Sequence, residues 1–168
     1  MVNLTLDTKK CMAELLLRDT FHEFLFIEGE ITTFNKFSID GLIRKEFYRD
    51  SPDEETIDSS QTISYSPWKK LKDFCFSIIK GKRTPLDFKF IFTLSESMIE
   101  RMIKENDLDF RTEDVQGLYL NFRYDGSTLT CITGTSLKTF TLDKSLEHAF
   151  DKWTGAFFSA HDINWNKK

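Results

Sequence analysis

Six cations fall close together between Lys69 and Arg83, and of all the side chains in this sequence they are the best placed to do chemistry. Lys69, Lys70, Lys72, Lys80, Lys82 and Arg83 are opposed there only by Asp73. Such a cluster can hold a phosphate, another anion or a nucleic-acid backbone. It equally suits a solvated helix face whose last turn complements the carbonyl end of the helix with cations. Gly81-Lys82 lacks the upstream glycines of a phosphate loop, and no helix start follows to cradle a phosphate. The aromatic residues Phe150, Trp153 and Phe157 form the second candidate. Their spacing stacks them along one side of a helix, where they either seal the domain's own edge or dock onto another copy or a partner.

Catalysis has little support. His22, His148 and His161 are scattered, and no Cys or carboxylate set joins them at metal-ligand spacing. Glu147, His148 and Asp151 lie within a helical turn, Glu28 and Glu30 share a strand face, and Asp107 and Asp109 share a loop. All three patterns are ordinary on a protein surface. Thr133, Thr135 and Ser136 offer hydroxyls without an evident activating base. No catalytic residue, cofactor or metal is expected.

The elements that must position these side chains follow from composition and periodicity. A chain of 168 residues, 40% hydrophobic and with 17 Phe, suits one domain with a sheet-rich core. The formal net charge of −4 sits in residues 49–60, where Asp50, Asp53, Glu54, Glu55 and Asp58 face Arg49 alone. Residues 49–65 therefore read as an acidic loop, either solvated or a tether for a basic partner. Cys11, Cys75 and Cys131 are odd in number, lack C-x-x-C spacing and stand among apolar residues. Buried free thiols in a reducing cytoplasm are the expectation. The start MVNLTLDTKK has no secretory apolar core and no 18 apolar residues run together, so a soluble cytoplasmic protein without a membrane partner is predicted.

The pattern predicts an α+β domain built from two pseudo-repeated β-α-β-β-β units with antiparallel sheets, a connecting helix and a C-terminal helix. Unit one covers 1–48: a strand over 2–6, Asp7 capping a helix over 8–18, a hairpin turned at Glu28-Gly29, and a second hairpin at Asp40-Gly41 leading into a strand over 42–48. The connecting helix covers 66–81, with Ser66-Pro67 at its start and Gly81 at its end. Unit two covers 86–142: a Phe-rich strand over 88–94, a helix capped by Ser95, a helical turn near Thr112, and strands over 118–124, 129–133 and 137–142 about an Asp125-Gly126 turn. The C-terminal helix covers 143–160, and 164–168 read as frayed.

The stretches FTLSESMIERMIKE and LYLNFRYDGSTLTCITGTSLKTFTL resemble the repeated half-domain of DNA sliding clamps, with Leu129, Thr130, Thr135 and Leu137 in comparable places. The first copy echoes it through Glu28-Gly29 and Ile31-Thr32-Thr33. The resemblance implies a clamp-like frame with nucleic-acid or protein partners. The whole chain, most closely at SPWKKLKDFCFSIIKGKRTPLDFKF and TGTSLKTFTLDKSLEHAFD, also resembles an uncharacterised family from anaerobic Gram-positive bacteria, a domain of unknown function that implies no activity. The expected role is a non-enzymatic scaffold or binding module. An enzyme with a small-molecule pocket between the two units and a structural homo-oligomer are the alternatives.

Overall fold

The structure, a computed structural model, describes residues 1–48 and 64–168; the predicted acidic loop lies, but for its last two residues, outside the described residues. Alternation of apolar side chains sets strand β1 (Asn3–Leu6), which buries Leu4 and Leu6. Asp7 stops it and caps helix α1 (Thr8–Leu16), its carboxylate accepting from the Lys10 amide at 2.9 Å. Then come β2 (Leu25–Thr32), β3 (Lys36–Asp40), α2 (Trp68–Ile79) and β4 (Asp87–Thr93). The chain continues through α3 (Glu96–Glu105), β5 (Val115–Tyr124), β6 (Leu129–Leu137), α4 (Ser145–Ala160) and β7 (Trp165–Lys167).

Among the described residues the strands form one antiparallel sheet in the order β3-β2-β4-β5-β6-β1-β7. The α+β class with an antiparallel sheet and four helices is therefore the observed one. Period-two alternation gives the sheet one apolar face: Phe26 and Ile31, then Phe88, Phe90 and Phe92, then Leu120 and Phe122, then Leu129 and Cys131, then Leu4 and Leu6. The opposite face carries Glu28, Lys89, Arg123 and other exposed or half-exposed side chains. Trp68 joins helix layer to sheet. It is fully buried, lies 5.0 Å from Phe92 and 5.1 Å from Phe26 between ring centres, and its indole donates to the Leu15 carbonyl at 2.7 Å.

Several expected boundaries shift. Glu28-Gly29 is no turn: β2 runs straight through it, because a Cβ at Gly29 would stand 2.7 Å from the Phe90 ring and 2.8 Å from that of Phe26. The glycine makes room for rings, not for a bend. Asp40-Gly41 does not open a hairpin either. The Gly41 amide donates to Ile27 O and its carbonyl accepts from Ser66, so close to Phe26 that a Cβ would meet the Phe26 carbonyl at 1.8 Å. Residues 42–48 consequently form no strand, but one bridge from Leu42 to Tyr65 and a short 3₁₀ turn at Lys45–Tyr48. At the other end β6 carries the strand expected over 129–133 on to Leu137, and the strand expected over 137–142 does not form, since 138–142 are irregular. Each unit thus reads β-α-β-β, but the two units pair differently: β4 pairs with β5, whereas β1 joins β6 and β7. The tail expected to fray is β7, hydrogen-bonded to β1.

Candidate functional site

The six cations split into two groups. In the first turns of α2, Lys69 stands 3.9 Å from Glu23, and the Lys72 ammonium donates to the Arg18 carbonyl at 3.1 Å and to His22 Nε2 at 2.8 Å. Those two brace the helix against the segment that leaves α1. Lys80, Lys82 and Arg83 lie past the helix end, where Gly81 adopts φ of +148°, a conformation that favours glycine. All three are exposed, and like Lys70 they have no acidic partner among the described residues.

These cations border an open groove of about 560 Å³ between α1 and the end of α2. One wall is α1, through Met12, Ala13, Leu16 and Leu17; the other is Phe76 and Ile79 of α2, with Pro85 and Tyr124 completing the lining. The charged groups that reach the groove are Lys9, Lys80 and Arg83, and among the described residues no Asp, Glu or His lines it. Glu14, on the opposite side of α1, explains why Lys10 is paired while Lys9 has no acidic partner among the described residues. Its carboxylate is buried, accepts from the Thr20 hydroxyl, and pairs with Lys10 at 2.9 Å and Arg18 at 3.5 Å. Burial pushes that carboxyl upward, but the Thr20 hydrogen bond and the two cations outweigh it and hold Glu14 below the usual carboxylate range. Lys10 and Arg18 are thereby committed, and Lys9 is not.

The groove is not legible in the sequence, where Cys11, Met12, Leu15 and Leu16 read as a single apolar face of the helix over 8–18. Its arc is wider: Cys11 and Leu15 enter the core, while Met12, Ala13 and Leu17 remain part-exposed beside it. The run Leu15-Leu16-Leu17 was the available signal, since one contact face does not need three consecutive leucines.

The aromatic stripe of α4 lies elsewhere. Phe150 is fully buried; Trp153 and Phe157 are half-buried and stacked 5.0 Å apart. Phe24 approaches both of them, at 6.3 and 5.4 Å, and Phe21 meets Phe157 at 5.5 Å. The face these rings would have offered to a partner is packed against residues 21–24 of the same chain. Of the scattered polar candidates, the fold brings together Thr133 and Asp151, 2.5 Å apart, which ties α4 to β6. His161 contacts the Phe157 carbonyl, and Glu28 and Glu30 pair with Lys89 and Lys36 on the open sheet face. Among the described residues no three His, Cys, Asp or Glu gather as a metal site, and no helix is long and apolar enough to cross a membrane.

The chain belongs to a family of unknown function, DUF5721, whose model matches residues 14–166. No curated protein and no solved structure matches it.

Proposed function

We propose that this family member is a non-enzymatic binding module whose working surface is the groove between α1 and α2, and that its partner is amphipathic and anionic. The observation that carries this reading is the pairing of an apolar lining with Lys9, Lys80 and Arg83 on the rim, all uncompensated among the described residues. Cations that stabilise a fold are normally matched by nearby acids, as Lys10 and Arg18 are by Glu14. An unmatched set around an apolar depression has the anatomy of an interface, with an apolar centre and a polar rim. A cytoplasmic setting is supported by three buried free thiols.

Anilinonaphthalene sulfonate, itself an apolar anion, tests the site. Its fluorescence should saturate at one site per chain, and Lys9→Glu, Lys80→Glu and Arg83→Glu combined should weaken it roughly tenfold. Ala13→Trp, which fills the groove, should abolish the signal. Equal affinity in both variants, each with a native circular dichroism spectrum, would remove the groove from consideration.

A nucleic-acid partner, in keeping with the clamp-like pattern, is the second reading. It is favoured by the run of exposed, unpaired cations at Lys70, Lys80, Lys82 and Arg83. Duplex DNA binding that falls steeply with salt, weakens when these four become Ala and survives Ala13→Trp would select it.

A further inference from the structure

Given that the groove is the working surface, we infer that it receives the apolar face of an acidic amphipathic α-helix from a partner protein. This identification rests on the reading above. Its first support is the periodicity of the α1 wall. The lining positions are Thr8 and Lys9, Met12 and Ala13, Leu16 and Leu17, three pairs spaced four residues apart. On a helix those pairs form rungs about 6 Å apart, the repeat a second helix needs to seat its own i, i+4 ridge. From Thr8 to Leu17 the wall is about 14 Å long, which matches two to three turns of a partner. Ala13 at the middle rung keeps the wall low where a partner's large side chain would enter.

The second support is backbone hydrogen bonding. Helices α1 and α2 form two walls, residues from 80–85 and Tyr124 close the groove, and among the described residues no sheet edge opens into it: the edge strands are β3 and β7, and neither contributes a lining residue. An extended peptide laid here would press unpaired amides and carbonyls against apolar side chains. A helix satisfies its own backbone.

Charge and exposure narrow the partner further. Lys9, Lys80 and Arg83 are the charged groups of the lining, Lys82 follows in the same segment, and none has an acidic partner among the described residues. Asp and Glu flanking the partner's apolar stripe complement them, while Lys or Arg would be repelled. Leu17, on the α1 wall, is 62% exposed, so apolar surface stays in water along the rim of the groove. A small ligand held in the groove would leave that surface in water, whereas a polypeptide covers it. A bilayer is flat and does not fill a concave site.

A displayed peptide library tests the proposal, with an i, i+3, i+4, i+7 stripe of Leu, Ile, Phe and Met, randomised flanks and the intact chain as bait. The expected result is enrichment of Asp and Glu in the flanks. Synthetic peptides from the enriched pool should gain helical circular dichroism on binding, displace the naphthalene dye, and bind the triple Glu variant at least about tenfold more weakly. Ala13→Trp should not bind them. The proposal is overturned if the pool enriches Lys and Arg, or proline-rich sequences, or nothing while the dye still binds; the last outcome leaves the groove as a small-molecule site. Displacement of the dye by phosphatidylglycerol vesicles, without peptide enrichment, would assign the groove to lipid instead. Loss of dye binding itself would refute the underlying reading rather than the choice of helix.

Discussion

Two neighbouring lysines on α1 differ in what they meet. Lys10 and Arg18 close on Glu14, a buried carboxylate that also accepts from Thr20, whereas Lys9 faces the groove with no acidic partner among the described residues. Removing the Glu14 charge should therefore cost stability, because two cations and a hydroxyl lose their acceptor. Glu14→Gln is expected to lose about 2 kcal/mol in urea unfolding at neutral pH. Lys9→Ala, Lys80→Ala and Arg83→Ala should each stay within about 0.5 kcal/mol of the parent. The pH dependence has a definite sign. The folded carboxyl sits below its ordinary value of 4.5, so its contribution is complete above that value and disappears as pH falls through the lower folded one. Between neutral pH and pH 3 the parent should lose more stability than Glu14→Gln. Parallel stability curves for the two proteins would show that Glu14 is not held as the geometry requires.

At the scale of elements, Phe150 is in the core while Trp153 and Phe157 pack against it half-buried, and this predicts a stability role for the stripe that truncation should expose. Trp153→Ala removes a ring stacked between Phe150 and Phe157 and facing Phe24; a loss of about 3 kcal/mol is expected, with unchanged mass by size exclusion. A shift in mass without loss of stability would return that face to the interface role. Gly29→Ala should also destabilise, by about 1–3 kcal/mol, since its Cβ would meet two rings rather than a strained backbone. The same position shows where the sequence was legible and where it was not. Asp125-Gly126 reads correctly as a turn because its signal is local: the Asp125 carboxylate accepts from the Ser127 and Thr128 amides and Gly126 has φ of +96°. Glu28-Gly29 also sets an acid before a glycine, but Glu lacks the short side chain that makes such turn bonds, and its glycine answers to Phe90, some sixty residues away. The strand expected over 42–48 failed for a related reason: its chain neighbour is Tyr65, and residues 64–67 pair with Leu25 and Leu42 across the connection. Helices α2 and α3 and the Phe-rich β4 were readable because their periodicity is long and uninterrupted. The groove was not, because it arises only when α1 and α2 meet.

For the whole molecule, the decisive fact is where the first strand goes. β1 is separated from its helix-linked neighbour β2 and inserted between β6 and β7, with Leu4 opposite Cys131 and Leu6 opposite Trp165. The first β-α-β-β unit is therefore split across the second: β4, β5 and β6 pair in succession, β1 adds beside β6 and the β2-β3 pair beside β4, and Trp68 from the connecting helix fills the interior they share. Such a chain should unfold in one step. The three cysteines are placed to report it, since Cys11 lies in α1, Cys75 in α2 and Cys131 in β6, all buried. Burial pushes the Cys75 thiol up to about 12 and the other two well above their ordinary value, so all three are inert while the chain is folded. In three variants, each keeping one cysteine and replacing the other two by Ala, labelling by a disulfide reagent should follow a single urea dependence. Its midpoint should coincide with that of circular dichroism for the same variant, corrected for the stability each replacement removes. Exposure of Cys11 well before Cys131 in their respective transitions would mean that the N-terminal unit opens alone, and with it the α1 wall of the groove.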